Sequence, residues 1–460
     1  MLACQLVNEA QFGEFRSFVE AGVARRHLPG VAIGLLHDGI EHTAAFGVTN
    51  VDHPLAVDGD TLFQVGSITK TFTATAAMRL VDEGRLDLDR PVQAYLPEFK
   101  VVDSSASATV TPHHLLTHTA GWIGDFFPDT GRGDDALARY VAEMAGLEQL
   151  TPVGTMYSYC NSGFSLLGRV IEVVTGETFE AALKRLVLTP LGLDHSFLFP
   201  EQVMTHRYAA GHTASRDGNM RVLQPWNLTR STTSAGGLVA SAKDQLRYAR
   251  FHMGDGTTAT GERVLTSAAL QPMHQPLVPA SGLPQRAVGL AWHIGANNDV
   301  SHGGGTYGQS TFLMFCPDQG IALSVLTNAF SGADLALEAT NWVLERLAGV
   351  SRLQTPVIAV ASDVLDSCPG LYRSQLDDVE LGRLGDALVA RSTSRGGFPT
   401  RDTPPLPDAV PPLIRMGFYA EDRLVGLDPP FLETRAELIR GPEGGVSWLR
   451  FGGRIHRRVH

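Results

Sequence analysis

In the stretch FQVGSITKTF, residues 63–72, Ser67 and Lys70 stand three apart. The chain holds only four lysines, at positions 70, 100, 184 and 243, against 33 arginines. On a helix, residues three apart are neighbours across one turn. A serine hydroxyl attacks a carbonyl well only when a base takes its proton. A lysine amine can be that base once burial, a nearby positive charge or a helix N-terminus lowers its pKa. Arginine cannot, because its guanidinium does not deprotonate in proteins. That is a reason to place a lysine at position 70 in a chain that uses arginine elsewhere. Ser-x-x-Lys recurs by coincidence, so its weight depends on company.

Two further stretches provide it. TMYSYCNSGF contains Tyr159-Cys160-Asn161. A tyrosine hydroxyl can pass a proton between nucleophile, lysine and leaving group, and an asparagine amide can orient a lysine and hold a substrate carbonyl. SHGGGTYGQS contains His302-Gly303-Gly304-Gly305 ahead of the apolar run STFLMFC. Glycines on a strand edge let a substrate backbone approach closely and leave an N–H free to face an oxyanion. The plain alternatives are a packed aromatic in a turn and a flexible hairpin loop.

Taken in this order, the three motifs resemble the serine β-lactamase and penicillin-recognising superfamily. The resemblance is closest to class C β-lactamases, family VIII carboxylesterases and D-amino-acid peptidases. It runs over about residues 8–350 and extends to HLLTHTAGW (114–122), GFSLLGRVIE (163–172), AGGLVASAKDQLRYARF (235–251) and LTNA (326–329). It implies that Ser67 is the acylated nucleophile, Lys70 its proton partner and Tyr159 the general base or acid. Asn161 would orient, and the strand edge of His302, Gly303, Gly304 and Gly305 would bind substrate. The N–H groups of Ser67 and Gly305 would hold the oxyanion. Two positions depart from the pattern. Cys160 stands where Ser or Ala is usual, a change without chemical consequence. His302 stands where many relatives have the Lys of Lys-Thr-Gly, and a mostly neutral imidazole holds a substrate carboxylate less well than an ammonium.

The resemblance therefore implies a serine hydrolase working through an acyl-enzyme on a small-molecule ester or amide. An esterase comes first, a D-amino-acid peptidase or amidase second and a β-lactamase third. A glycosidase and a non-catalytic penicillin-binding sensor are remoter readings. No cofactor is expected. His114 and His118 are four apart, as in zinc helices, but the Glu of H-E-x-x-H is missing and no metal is expected.

The elements that must position these residues follow from the pattern. Residues 8–27 place Phe12, Phe15, Val19 and Val23 at helical spacing, and Pro29-Gly30 ends that helix. VAIGLLHDGIEHTAAFGV reads as two strands around an Asp38-Gly39 turn. Thr69 to about Glu83 is helical up to Gly84, and residues 165–175 are helical up to Gly176. AVGLAWHI, TFLMFC and GIALSVLTNA read as strands, the last two joined by Pro317-Asp318-Gln319-Gly320, and residues 335–350 as a helix. The simplest assembly is α+β. An antiparallel sheet is built from both ends of residues 1–355, with helices on its faces and a helical subdomain inserted between its halves. After Thr355-Pro356 the texture changes. Residues 356–460 hold eight short alternating runs, GLYRS, DVELGRL, ALVARST, PLIRMGF, RLVGL, AELIRG, VSWLRFG and RIHRRV, which predict a small β-barrel or sandwich. It resembles the lipocalin-like domains appended to some relatives and could cap the cleft or build a homo-oligomer.

Composition excludes some partners. A net charge of −11 is repelled by phosphate backbones and anionic lipid, so no nucleic acid and no membrane surface is expected. The basic tail RIHRRVH reads as a solvated strand face. No apolar run approaches 18 residues, so no transmembrane helix is expected. MLACQLVNEAQF lacks the basic region and apolar stretch of a signal peptide, which predicts a cytoplasmic chain, although LAC resembles the end of a lipoprotein cleavage site. Four scattered cysteines (Cys4, Cys160, Cys316, Cys368) form no C-x-x-C and no disulfide framework.

Overall fold

Asp38 and Gly39 both have positive φ, 49° and 81°. A two-residue hairpin turn that matches the strand twist needs such angles. The turn joins β1 (Gly30–His37) to β2 (Ile40–Gly47) in register, with His37 opposite Ile40. The structure, a computed structural model, describes residues 9–215, 218–223, 226–350, 355–405, 412–428 and 431–459. Cys4 and most of the opening segment lie outside the described residues.

The hairpin begins an eight-stranded antiparallel sheet. Its other members are β3 (Val278–Pro279), β4 (Ala287–Val288), β5 (His293–Ile294), β6 (Val300–Thr306), β7 (Gln309–Cys316) and β8 (Ile321–Thr327). The order is β2-β1-β8-β7-β6-β5-β4-β3, so β1 pairs with β8 and the first strands meet the last. Every residue of β1 and β8 is buried, because helices cover both faces of the central strands. This is why these strands read as unbroken apolar runs rather than as alternation.

On one face lie α1 (Glu9–Arg26) and a late helix, Gly332–Arg346. Phe15, Val19, Leu335, Ala339 and Val343 share one apolar cluster there. α2 (Thr69–Asp82), α3 (Asn161–Thr175) and α4 (Ala242–Met253) belong to the larger core, which the helix-rich segment between β2 and β3 mostly forms, and of these α4 packs on the other face of the sheet. Gly176 ends α3 in the left-handed region, with φ 76°.

One strand expectation changes. AVGLAWHI is not one strand: Ala287–Val288 and His293–Ile294 pair with each other as a tight hairpin, with Ala291 at φ 68° in its turn. The apolar run concealed the reversal because Gly289, Leu290, Ala291 and Trp292 are themselves buried. The glycine run 303–305 is part of a strand, in keeping with the strand-edge reading and not with its alternative, a loop. It lies inside β6, paired residue by residue with β7.

All eight C-terminal runs are strands, from Gly370–Arg373 to Arg454–Arg458, and each pairs with the next until the last closes on the first. The result is a closed barrel, not a sandwich. In Asp377–Leu384, Val379 and Leu381 point inward while Glu380 is exposed. With Tyr372, Leu388, Met416, Leu424 and Leu449 they belong to one packed apolar core, as in small barrels generally.

Candidate active site

Ser67 sits on a single 3₁₀ turn, Gly66–Ile68, that runs directly into α2. The turn is pressed against β6. Gly66 has φ 52°, and a Cβ there would lie 2.8 Å from the Gly305 nitrogen. A Cβ on Gly304 would fall on the carbonyl oxygen of Val65. Glycine at both positions lets the Ser67 turn and the strand touch through backbone alone. Thr311 Oγ1 donates to the same Val65 oxygen at 3.0 Å.

Lys70 follows one turn later and is fully buried. Its Nζ donates to Ser67 Oγ at 3.1 Å and to the Ala235 carbonyl at 2.6 Å. Thr69 Oγ1 accepts the Leu238 N–H at 3.0 Å, and Thr73 Oγ1 donates to the Ser234 carbonyl at 2.7 Å. These bonds hold the 234–238 segment, and with it the Ala235 acceptor, against α2. Burial lowers the Lys70 pKa to about 7, and the Arg454 guanidinium pushes in the same direction while Asp125 opposes it. A lysine in that range exchanges protons near neutrality.

Tyr159 completes the group. Its hydroxyl is hydrogen-bonded to Ser67, and Lys70 Nζ lies 5.0 Å from its ring centroid. Burial raises its pKa, while the Ser67 hydrogen bond and Arg454 lower it. Two parts of the molecule hold its backbone. The Tyr159 N–H donates to the Gly453 carbonyl of the barrel at 2.9 Å. On the other side His118 accepts the Ser158 N–H at its carbonyl (3.0 Å) and the Cys160 N–H at Nδ1 (2.9 Å), and its ring stacks on Tyr159 at 4.5 Å. Burial first, then Lys70, drives the His118 pKa well below its ordinary value. The ring is therefore neutral, with its lone pair on Nδ1.

His118 has φ 57°, a conformation that Asn and Gly tolerate well. This suggests a discriminating pair. His118→Asn keeps the conformation and offers an amide oxygen to the Cys160 N–H, whereas His118→Gly keeps only the conformation. The Gly variant should lose about 10²-fold in kcat/KM, because small misplacements of a reacting group have effects of that size. The Asn variant should lose no more than about a tenth of that factor. Full activity of the folded Gly variant would show that the Tyr159 segment is held without His118.

Cys160 caps α3, its Sγ accepting the Gly163 N–H at 3.3 Å, so a side chain without chemical consequence has a local structural one. Asn161, the first residue of α3, donates its amide to Asp125 Oδ1 at 2.6 Å. Asp125 also takes Arg454 in a two-point contact of 2.6 and 3.3 Å. Arg454 belongs to RIHRRVH, expected to be a solvated strand face. Instead its guanidinium lies 4.9 Å from the Tyr159 ring centroid, carried there by a Gly452-Gly453 hairpin tip.

Ser67, Tyr159, Asn161, His302, Gly303 and Gly305 line one cavity of about 530 Å³. Lys70 lies behind Ser67, and Gly304 faces Val65. The barrel supplies much of the opposite wall, including Leu376, Phe398, Pro404 and Pro405. Phe398 meets Phe127 edge-on at 5.1 Å, and the Arg401 N–H donates to the Phe127 carbonyl at 2.9 Å. His302 Nδ1 donates to the Gly303 carbonyl at 2.6 Å, and its ring stacks on His293 at 4.9 Å. Burial, then His293 and Lys70, lowers its pKa far below the ordinary value. The imidazole is neutral with its lone pair on Nε2. Of the other histidines considered for a metal, His114 accepts the Thr111 N–H in a helix-capping box. Among the described residues no three His, Cys, Asp or Glu side chains converge as a metal site would require.

The structure brings Ser67, Lys70, Tyr159, Asn161 and the His302–Gly305 strand together, and with them Asp125, Arg454 and His293, which the sequence does not single out. The Gly-Gly pair before Arg454 is a hairpin signal, but no local pattern says what that hairpin touches.

The profile of the family described as Beta-lactamase matches residues 15–347. Penicillin-binding protein 4 of Amycolatopsis lactamdurans is 37% identical over 331 residues, which cover 70% of this chain and 87% of that protein. The crystal structure of SurE matches with a TM-score of 0.75 at 27% identity, covering 98% of this chain and 99% of that one. SurE solved with D-Leu matches with a TM-score of 0.73, also at 27% identity, over 98% and 100% of the two chains. The octameric penicillin-binding protein homologue from Pyrococcus abyssi shares the fold at a TM-score of 0.63 and 24% identity, over 97% and 99%.

Proposed function

The chain belongs to the Beta-lactamase family of serine hydrolases, and from that premise we propose that it is an esterase acting on neutral, apolar acyl esters. Ser67 Oγ attacks the ester carbonyl and gives its proton to the Lys70–Tyr159 pair. The N–H groups of Ser67 and Gly305 stabilise the oxyanion. The C–O bond to the leaving group breaks, and the alkoxide takes the proton and departs as an alcohol. Water then attacks the acyl-Ser67 ester, and the carboxylic acid leaves as Ser67 regains its proton.

The observation that carries the substrate class is the charge of the cavity wall. Its one arginine, Arg454, is matched by Asp125, and His302 is neutral with an acceptor atom free. A substrate carboxylate is itself acceptor-only, so it gains nothing from His302 Nε2. The barrel side of the wall is apolar and suits an acyl chain.

A second reading, a hydrolase of D-aminoacyl esters or amides, is favoured by one finding. SurE, which matches this chain over its barrel as well, has been solved with D-Leu.

A panel of nitrophenyl esters, D- and L-aminoacyl anilides, a cephalosporin and a nitrophenyl glycoside separates the readings. Neutral esters should exceed the cephalosporin by about 10²-fold in kcat/KM, the equivalent of one missing charge-assisted hydrogen bond. Preference for the D-aminoacyl substrates would install the second reading. Preference for the cephalosporin would make the chain a β-lactamase. Absence of turnover with stable acylation by a penicillin would make it a sensor.

A further inference from the structure

A second cavity, of about 240 Å³, lies on the other side of the Tyr159–Arg454 wall, between the barrel and the segments around Asp125 and Glu148. We propose that this cavity is a binding site for a small organic carboxylic acid with a flat apolar body, and that its occupancy is felt at the active site through Arg454.

The cationic half of the argument is the arginine content. Arg373, Arg395, Arg454 and Arg457 line the cavity; Asp125 matches Arg454 and Glu148 matches Arg457 at 3.0 Å, so the surplus charge rests on Arg373 and Arg395. Arg373 and Arg395 share a single carboxylate, Asp378, which Arg373 holds at two points (2.8 and 2.8 Å) while Arg395 stands 3.5 Å away. Among the described residues the Arg395 guanidinium also donates a long bond, 3.4 Å, to the Ser374 carbonyl. Two guanidinium groups against one carboxylate leave charge and N–H donors for a second one, and guanidinium is the side chain best shaped for it.

The apolar half is the floor. Trp448 lies under the Arg457 guanidinium at 5.0 Å, beside Ile455 and Leu150. An aromatic ring and a basic fork facing one space select a flat acid over an inorganic anion. Cavities of this kind favour the seams between structural units.

Coupling follows from the shared wall. Arg454 lines both cavities and is held by Asp125, which in turn holds the Asn161 amide. A carboxylate arriving on the outer side competes with Asp125 for the same guanidinium. By linkage, a ligand that shifts this pair changes affinity in the first cavity, and the reverse holds equally.

The test uses the full chain with indole-3-acetate as probe and its neutral amide, indole-3-acetamide, as control, read by calorimetry. The acid should bind with 1:1 stoichiometry and a Kd at or below about 1 mM, and the amide at least about tenfold more weakly, since only the acid makes charge-assisted bonds. Trp448→Ala and Arg395→Gln, both outside the catalytic group, should each weaken the acid about fivefold or more and leave basal turnover unchanged. Phe398→Ala, in the first cavity, should not weaken it. Saturating acid should change the affinity of a neutral competitive inhibitor by about fivefold, the lower range of site-to-site coupling. Equal binding of acid and amide, or loss of binding in Phe398→Ala but not in Trp448→Ala, would overturn the site. Binding without any change in inhibitor affinity would overturn the coupling. The calorimetric readouts of acid and amide binding do not depend on which substrate the enzyme hydrolyses, so they can fail while the esterase reading stands.

Discussion

Lys70→Arg should lower kcat/KM by about 10²–10⁴-fold, the range of a well-placed general base. Lys70 is buried, touches Ser67 Oγ and has its pKa brought down to about 7 by burial and by Arg454. Arginine would keep the charge and hydrogen-bond donors but cannot release the proton. With Lys70 as the base the active form would be the neutral amine, so kcat/KM should rise with pH through about 7 and flatten above it. That limb should be absent from the residual rate of both Lys70→Arg and Lys70→Met, while Ser67→Ala supplies the zero of the assay. Stability should respond with the opposite logic. The folded-state pKa lies below the ordinary 10.5, so between these values the unfolded chain binds the proton more tightly. Wild-type stability should therefore climb as pH rises from about 7 towards 10.5, a slope that Lys70→Met removes. Thermal unfolding across that range, beside the pH–rate profile, checks both. If Arg retains most of the activity that Met loses, Lys70 is a fixed cation and Tyr159 alone moves the proton.

Arg454→Met should damage both stability and catalysis. Asp125 is 4% exposed and would be left without its guanidinium. Stranding one partner of a buried pair costs about 3–5 kcal/mol, and because the Arg454 side chain is 29% exposed the lower end is expected. The double variant Arg454→Met/Asp125→Asn should recover most of that loss, since no charge is then left unpaired. The pH profile gives a second signature. Arg454 lowers the Lys70 pKa and Asp125 raises it, so removing the arginine alone moves the amine up from both sides of that balance. The acid limb should shift to higher pH, making the activity deficit larger at pH 6.5 than at pH 9. An unshifted limb together with unchanged stability would mean that the barrel's hairpin does not sit against Tyr159 in solution.

The local features of this protein are written in short range. The Asp38-Gly39 turn was legible because two residues that accept positive φ sit between apolar runs. The eight barrel strands were legible because each alternates and each is bounded by turn residues. Ser67 and Lys70 were legible because three residues on a helix are one turn apart whatever else the chain does. Each of these signals depends on neighbours within one turn or one strand, where periodicity and steric preference act directly. The tertiary structure decided the rest. Arg454 meets Asp125 across 329 residues of sequence, and a basic tail that reads as solvated forms part of the wall of the candidate site. Nothing local in the sequence says that the carbonyl and Nδ1 of His118 hold both ends of the Tyr159 segment. The glycine run 303–305 read as a strand edge, but only the fold shows that its lack of side chains lets β6 lie against the Ser67 turn. The AVGLAWHI run hid a hairpin because burial keeps a reversal as apolar as a strand. A single sequence records which residues prefer a turn, a strand or a core. It does not record which distant backbone a buried charge will face, and that neighbour decides whether a lysine is a cation or a base.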